Sequence, residues 1–377
     1  MAHGIAILGA GIFAKEAHLP ALAALGSAAP PLKAVYSRSE RSAHDLAAAA
    51  AKTLGLSEPP AIFHDGDTGS NLDALLKRSD ISAVIVALPI TTQPSIVLQA
   101  LAAGKHVLSE KPVAPDVKQG LDLIQTYNQT YKPKGLIWRV AENFEAEPGY
   151  RKVGEIIRSG KIGKVSFFKA VVVNYIDKDS KWYKTPWRTV PDYQGGFLLD
   201  GGVHTIAALR VMLPHALTHL SGFATLVKDY LKPHDTIHTI VKAGPDIQGT
   251  AELTWAHPTQ SRPVADGFVI TGTDGWISVN QITKPGDKAP TLRILIKSVH
   301  KPAEEGKPQE EKEEVVDVLS SGIAAEQESF FAALEGKDDG LGLGDPLAAL
   351  GDVAFIQAAL NSDGALVDLT KLLKDGQ

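Results

Sequence analysis

The chain has 377 residues, 44% of them hydrophobic, with a formal net charge of −5 and a pI near 6.2. This length predicts more than one domain, and the acidic balance offers no basic surface for nucleic acid or anionic lipid. The absence of cysteine excludes disulfides and thiolate sites. Without a signal-peptide pattern or an apolar run near the ~20 residues that span a bilayer, we expect a cytoplasmic protein with no nucleic-acid or membrane partner.

The first third of the sequence alternates short apolar runs with alanine- and leucine-rich segments of helical spacing. This alternation predicts an α/β fold, a doubly wound parallel Rossmann sheet with helices on both faces. Its predicted strands are residues 5–8, 33–36, 61–64, 83–88 and 106–109. A Lys-Pro-Lys-Gly break at 132–135 indicates a boundary, so residues 1–135 are predicted to bind a dinucleotide and residues 136–377 to form a second domain.

The first predicted strand runs into Gly-Ala-Gly-Ile-Phe-Ala, which starts at Gly9 and opens a helix. In such a turn Gly9 allows a tight bend, Gly11 lets the backbone approach a pyrophosphate, and Ala14 lets the helix pack closely. The phosphates then lie at the helix N-terminus. We therefore predict that Gly9, Gly11, Ile12 and Phe13 bind a dinucleotide; the alternative is an ordinary glycine-rich turn.

The second predicted strand ends in Ser37 and Arg38. NAD-specific sites usually carry an acidic side chain here, whereas a hydroxyl and a guanidinium suit the 2′-phosphate of NADP. We therefore predict NADP(H) as the preferred cofactor, with NAD(H) possible. The alternative is that Arg38 is a solvated residue opening the next helix.

The fifth predicted strand ends in Glu110-Lys111-Pro112. Ligands of a doubly wound sheet bind outside the carboxyl ends of its strands. We therefore expect Glu110 and Lys111 beside the cofactor, together with Leu88 and Pro89 at the end of the fourth strand. Pro112 restricts the backbone before it and helps to aim the lysine. The alternative is a surface lysine.

The second domain is predicted as α+β with a large, mostly antiparallel open sheet, because turns such as 273–275 separate consecutive strands. The predicted strands are residues 136–141, 165–175, 220–227, 236–242, 249–255, 267–271, 276–279 and 292–298. The predicted helices are residues 150–158, 205–213, 324–334 and 346–360. The charged residues 301–314 are expected to form a solvated hairpin loop.

Asp200 and His204 lie four residues apart, and Gly201 and Gly202 between them are predicted to start a helix and admit substrate. Oxidation of an alcohol needs a group that accepts the hydroxyl proton. Imidazole titrates near neutrality, and a carboxylate can orient it. The alternatives are a helix N-cap for Asp200 and a core position for His204.

Four aromatic side chains precede this run: Trp182, Tyr183, Trp187 and Tyr193. Flat rings suit the apolar faces of sugars and cyclic polyols, and an arginine can hydrogen-bond hydroxyls or a carboxylate. We predict Trp187, Arg188 and Asn143 as substrate-binding residues, although the rings could instead pack in a core or interface. No metal site is predicted.

The sequence resembles the Gfo/Idh/MocA family, named for glucose–fructose oxidoreductase, inositol dehydrogenase and rhizopine catabolism. The resemblance rests on the turn at Gly9, the Glu-Lys-Pro at 110–112 and the Gly-Gly-x-x-x-Asp-x-Gly-x-His run at 195–204, in the family's order. It implies a catalytic trio of Lys111, Asp200 and His204, and a homo-oligomer, dimer or tetramer, formed through the C-terminal sheet. Ala207 stands where members often carry aspartate.

These observations predict an NAD(P)-dependent dehydrogenase or reductase that transfers a hydride between the cofactor and a sugar, cyclic polyol or related small molecule. His204 would exchange the hydroxyl proton, Asp200 would orient it, and Lys111 would stabilise alkoxide charge. Two alternatives stay open: a non-catalytic NAD(P)-sensing regulator resembling the yeast galactose-regulon repressor, and a dihydrodiol or imine dehydrogenase. The presence of both Asp200 and His204 favours an enzyme.

Overall fold

The computed structural model describes residues 4–263, 266–284, 286, 289–300, 310–337 and 340–375. The chain divides into two compact units. Unit 1 comprises Met1–Asn143 and Ile323–Leu350, and unit 2 comprises Phe144–Gly322 and Gly351–Gln377. Within the described residues, none of the helices has the length and apolar character needed to cross a membrane.

Unit 1 is built on a six-stranded parallel sheet. Its strands are β1 (Gly4–Leu8), β2 (Leu32–Ser37), β3 (Ala61–His64), β4 (Ile81–Val86), β5 (His106–Glu110) and β6 (Trp138–Ala141). The strand order β3-β2-β1-β4-β5-β6 reverses between β1 and β4, which creates a crevice at the carboxyl ends of those two strands. The predicted doubly wound parallel sheet is confirmed.

The predicted division at residue 135 differs from the division into units, because β6 completes the first sheet. Val107 of β5 pairs with Trp138 of β6 in parallel, and the Trp138 indole donates to Ser109 Oγ at 2.9 Å. A later part of the chain also returns to unit 1. There Arg139 Nη1 donates to Ser329 Oγ at 2.5 Å.

The α-helices of the described residues follow one another in chain order. They are α1 (Leu19–Leu25), α2 (Glu40–Leu54), α3 (Leu72–Leu76), α4 (Gln93–Ala102), α5 (Val117–Thr126), α6 (Asn143–Ala146), α7 (Pro148–Arg158), α8 (Pro186–Thr189), α9 (Phe197–Met212), α10 (Gly322–Leu334), α11 (Pro346–Asn361) and α12 (Leu369–Asp375). A π-helix, Ala14–His18, leads directly into α1. Ser39 caps α2 and Asp116 caps α5, since each side chain accepts a main-chain N–H of the first turn.

Unit 2 is built on a nine-stranded mixed sheet. Its strands are β7 (Val165–Val173), β8 (Leu217–Thr225), β9 (Thr236–Ala243), β10 (Ile247–Thr254), β11 (Gly267–Gly272), β12 (Gly275–Ile282), β13 (Thr291–His300), β14 (Glu310–Leu319) and β15 (Val367–Asp368). Their order is β14-β13-β12-β11-β7-β10-β9-β8-β15. The β7–β10 pair is parallel and the other pairs are antiparallel, which confirms the mostly antiparallel sheet.

The expectation of a solvated loop over residues 301–314 is wrong for its last five residues, which belong to β14. Residues 301–309 lie outside the described part of the chain. Lys297 of β13 lies 2.8 Å from Glu311 and 3.1 Å from Glu313 of β14. The acidic residues that suggested a loop therefore form cross-strand ion pairs, and such pairs are compatible with a strand.

Candidate active site

The glycine turn of unit 1 contains two glycines with opposite surroundings. Gly9 has a φ of +113°, and a Cβ there would lie 2.1 Å from the carbonyl oxygen of Ala87. At Gly11, such a Cβ would have no heavy atom of the described residues within 4 Å, apart from those of its chain neighbours. The backbone at Gly11 therefore faces open space at the start of a helix, where main-chain N–H groups attract phosphate. The residues of this turn fit a dinucleotide.

The helix after the turn holds the other predicted residues of this segment. Ile12 and Phe13 are partly buried and Ala14 is fully buried. The Phe13 ring meets the His18 ring edge-on, with centroids 5.4 Å apart. The full burial of Ala14 agrees with the close helix packing expected from a small residue.

At the end of β2, Ser37 is partly buried and Arg38 is exposed. Sequence reasoning found no acidic residue here, but the fold brings Asp65 to this strand end. Asp65 accepts a hydrogen bond of 2.7 Å from the Tyr36 hydroxyl, and its N–H donates to the Arg38 carbonyl at 3.3 Å. Burial, followed by the bond to Asp65, raises the pKa of Tyr36. At this position the Arg38 guanidinium would attract a 2′-phosphate, whereas the Asp65 carboxylate would repel it.

The ends of β4 and β5 carry four predicted cofactor-binding residues. Leu88, Pro89 and Lys111 are partly buried, whereas Glu110 is 7% exposed. Glu110 Oε1 lies 2.9 Å from His18 Nε2, so its carboxylate is engaged within unit 1.

His18 and Glu110 form, with Glu326 of α10, a buried group whose possible ligand atoms lie within 4.8 Å of one another. Among the described residues, this is the histidine and carboxylate group with the spacing to hold a metal ion. The sequence did not predict this group, because its three members lie on separate elements of unit 1.

In unit 2, α9 starts at Phe197, so the predicted helix start at residue 205 is wrong. Gly196 is the N-cap, which also excludes the N-cap alternative for Asp200. Gly201 and Gly202 lie inside the helix. A Cβ on Gly201 would lie 2.4 Å from the Trp255 ring, so the glycine permits close packing. Asp200 and His204 are one helical turn apart and share a face.

The Asp200 carboxylate forms an ion pair with Arg188. Arg188 Nε lies 2.7 Å from Asp200 Oδ2, and the two side chains are 13% and 10% exposed. The guanidinium lies over the Trp187 ring, 4.0 Å from its centroid. Burial, followed by the negative charge of Asp200, raises the pKa of Tyr193 beside this group. The structure thus brings together Asp200, Trp187 and Arg188, three of the predicted residues.

His204 is partly buried, and its ring stacks on Phe144 with centroids 4.8 Å apart. The far end of α9 is held by Arg210, which lies 2.7 Å from Glu145 and 3.0 Å from Asp352. Burial opposes the charge of Arg210, but the two carboxylates outweigh it and raise the pKa of the guanidinium. These contacts anchor the helix that carries Asp200 and His204.

A cavity of about 400 Å³ lies within unit 2, and His204 is part of its wall. Its aromatic lining is Phe144, Tyr150, Trp255 and Phe268. Its polar lining includes Asn174, Arg262, Asp266, Asn280 and Gln281. Arg262 lies 3.0 Å from Asp266 and donates to Asn174 Oδ1 at 3.3 Å. Such a mixture of flat apolar walls and converging polar groups is typical of small-molecule sites.

The sequence did not predict the polar lining, because those residues come from strand ends and from the loop between β10 and β11, which only the fold brings together. Asn143, predicted to bind substrate, is the first residue of α6 and lies in unit 1, where it is partly buried.

A doubly wound sheet with an open glycine turn, together with a second unit containing a histidine-lined cavity, defines a nucleotide-dependent oxidoreductase class. Residues 3–133 match the family described as "Oxidoreductase family, NAD-binding Rossmann fold", and residues 150–278 match "GFO/IDH/MocA C-terminal domain". The chain belongs to the Gfo/Idh/MocA family and is an NAD(P)-binding oxidoreductase, which confirms the resemblance seen in the sequence.

Curated relatives extend over nearly the whole chain. It is 38% identical over 373 residues to the dehydrogenase FPY6 of Fusarium mangiferae, covering 96% of this chain and 98% of the relative. It is 27% identical over 372 residues to a dTDP-3,4-didehydro-2,6-dideoxy-α-D-glucose 3-reductase of Streptomyces violaceoruber, covering 94% and 93%. A crystal structure of an oxidoreductase from Thermotoga maritima aligns with a TM-score of 0.80 and 29% identity, covering 99% of this chain and 100% of that one.

Proposed function

We propose that this protein transfers a hydride between NADP(H) and the hydroxyl or carbonyl carbon of a sugar or cyclic polyol. The observation that carries this proposal is the cavity beside His204, whose wall combines aromatic rings with amide, guanidinium and carboxylate groups. Aromatic faces pack on the C–H faces of a sugar ring, and the polar groups pair with its hydroxyls. The sugar reductase among the relatives supports the same substrate class.

The bound nicotinamide would supply the hydride acceptor or donor. In the proposed mechanism His204 accepts the hydroxyl proton on a ring nitrogen during oxidation and returns it during reduction. Phe144, stacked on the imidazole, restricts its rotation. Asp200, one helical turn away, is proposed to orient the imidazole, and its ion pair with Arg188 holds the carboxylate in place.

We propose Lys111, a residue of unit 1, as the group that stabilises negative charge on the substrate oxygen. Support comes from its position after β5, at the carboxyl edge of the parallel sheet, and from the family's Glu-Lys-Pro motif. Arg188 and Trp187 are proposed to contact substrate hydroxyls and ring faces, as is Asn143.

The preference for NADP(H) also remains our proposal, supported by Ser37 and the exposed Arg38. An Arg38→Ala variant is expected to lose affinity for NADP⁺ and to keep its affinity for NAD⁺. Calorimetric titrations of both nucleotides test this. Equal losses for the two nucleotides would contradict a role in recognition of the 2′-phosphate.

The test of activity is a panel of sugars, inositols and dihydrodiols assayed for reduction of NADP⁺ and NAD⁺. With the best substrate, His204→Asn and Lys111→Met are expected to lose turnover while keeping nucleotide affinity. His44→Asn is the matched control, because the His44 side chain is 60% exposed and lies on α2. Full turnover in the first two variants would refute the mechanism. Tight NADP⁺ binding with no activity across the panel would favour the sensor alternative.

We also propose that the protein forms a homo-oligomer, dimer or tetramer, through the outer face of the unit 2 sheet. Three large apolar side chains on that face are exposed: Phe167, Phe223 and Ile240, by 54%, 59% and 67%. Light scattering coupled to size exclusion should report more than one copy, and Ile240→Glu should lower the mass. A monomeric parent protein would contradict this proposal.

A further inference from the structure

A fully buried histidine connects the segment after the glycine turn with the strand end that precedes Lys111. His18 Nε2 lies 2.9 Å from Glu110 Oε1. Its Nδ1 lies 2.8 Å from Nε2 of Gln327, which is also fully buried. Since Gln327 Nε2 can only donate, Nδ1 accepts and the ring hydrogen is on Nε2, the nitrogen beside Glu110. Each ring nitrogen therefore lies close to a buried polar side chain.

The residues on either side of Lys111 are both held by buried groups. The amide of Gln93, a side chain that is 1% exposed, donates to the main-chain oxygens of Glu110 and Pro112. Glu110 and Pro112 are buried, whereas Lys111 between them is partly exposed. Two independent contacts thus determine where the chain presents the lysine, one through the Glu110 carboxylate and one through the main chain.

Core packing alone does not account for a polar group of this kind. Burial of a carboxylate is costly, and well-packed apolar residues often stabilise a core as well as or better than a buried polar pair. A close polar pair differs from an apolar pair because its electrostatic attraction favours one orientation of the two side chains. The side chain oriented here belongs to Glu110, the residue next to Lys111.

We propose that His18 is a positioning residue that acts through Glu110 to fix the orientation of the Lys111 ammonium group. This inference rests on the proposed function for the catalytic role of Lys111. The orientation of the lysine can nevertheless be measured without turnover, so the two proposals can fail separately.

Three substitutions of His18 separate the Glu110 contact from the Gln327 contact and from packing. In His18→Gln the amide nitrogen can replace Nε2 and keep the donor to Glu110. In His18→Asn the shorter side chain can replace only Nδ1, toward Gln327. His18→Leu keeps the volume and loses both contacts. Urea unfolding of each variant measures its effect on stability separately from its effect on the lysine.

The direct readout is the NMR signal of Lys111 in protein bound to NADP⁺, after its lysines have been given isotope-labelled methyl groups. A Lys111→Arg variant assigns the signal, because arginine is not methylated. We expect the signal to move in His18→Leu and His18→Asn, and to stay near its parent position in His18→Gln. Unchanged signals in all three variants, or equal shifts in all three, would overturn the proposal.

A turnover arm uses the best substrate of the panel. His18→Leu is expected to lower kcat by on the order of tenfold or more with little change in KM, as a misplaced catalytic group does. In a Lys111→Met background the same substitution should cause no further loss, whereas an additive loss would overturn action through Lys111. If Lys111→Met itself keeps full turnover, the catalytic role proposed for Lys111 is refuted. The NMR experiment still tests whether His18 positions the Lys111 side chain.

A third experiment tests metal binding as the alternative role of this group, because His18, Glu110 and Glu326 have the spacing to bind a metal ion. Titration with Zn²⁺ and treatment with EDTA should both leave the Lys111 signal unchanged. A shift that requires Zn²⁺ and is reversed by EDTA would overturn the positioning role of His18 in favour of metal ligation.

Discussion

The substitution Gly11→Ala is expected to weaken cofactor binding while it increases folding stability, so the two effects can be measured separately. The substitution adds one methyl group where no heavy atom of a neighbouring element in the described part of the chain lies within 4 Å, at a φ outside the left-handed region. Without a clash or strain, the smaller entropy of the unfolded chain should make the variant more stable by about 0.4–1 kcal/mol. If the pyrophosphate approaches the backbone at Gly11, the same methyl group should weaken dinucleotide binding by at least about tenfold, or about 1.4 kcal/mol.

Urea unfolding gives the free energy of unfolding, and calorimetric titration with NADP⁺ and NAD⁺ gives the affinities. Gly69→Ala is a matched control, since its Cβ would make only an ordinary contact, 3.5 Å from Asp67. Gly9→Ala is the opposite case, because a clash at 2.1 Å with the Ala87 oxygen and a φ of +113° should destabilise the fold itself. If the Gly11→Ala variant is stable and binds both nucleotides with the affinity of the parent protein, the pyrophosphate does not approach the backbone at Gly11.

Three further substitutions test the electrostatics of unit 2. Arg210→Met should lower the free energy of unfolding by about 3–5 kcal/mol, because it leaves two buried carboxylates without their cation; a loss below about 1 kcal/mol in urea would contradict a strong triad. Burial raises the pKa of Glu147 above its usual 4.5, so its contribution to stability is present at low pH and lost as pH rises through the folded-state pKa. Glu147→Gln should therefore gain stability relative to the parent as pH rises above about 4.5, the ordinary pKa of the carboxyl group, and a pH-independent difference would contradict this. Asp200→Asn should cost about 1–3 kcal/mol because Arg188 loses its charged partner, and unchanged urea unfolding would show that the pair adds no stability.

The first sheet could be predicted from sequence because each parallel strand is an apolar run bounded by turn residues. β1 is buried along its whole length, as strands covered on both faces usually are. The assignment of β6 to unit 1 could not be predicted, because the break at residue 135 is followed by a strand that rejoins the same sheet. Only the pairing between strands carries that information. A local turn signal marks the end of an element, whether or not a domain ends there.

The start of α9 was predicted too late for a related reason. Glycine lowers helix propensity, so Gly201 and Gly202 indicated a helix start. Gly201 packs closely against Trp255 and Gly202 against Ile356, which overrides that preference, and both glycines lie inside the helix. The spacing of Asp200 and His204 could be recognised locally. The cavity lining could not, since Asn174 and its neighbours in the cavity come from several strands of the sheet.

We propose that this protein transfers a hydride between NADP(H) and the hydroxyl or carbonyl carbon of a sugar or cyclic polyol, with His204 exchanging the proton. The most direct measurement is mass spectrometry of the product formed from a keto substrate with NADPH deuterated at the transferring position of the nicotinamide. A keto sugar or inosose is expected to gain deuterium at the carbonyl carbon, and His204→Asn is expected to abolish this transfer. Saturated NADPH binding with no deuterium in any compound tested, or full transfer by His204→Asn, would contradict it.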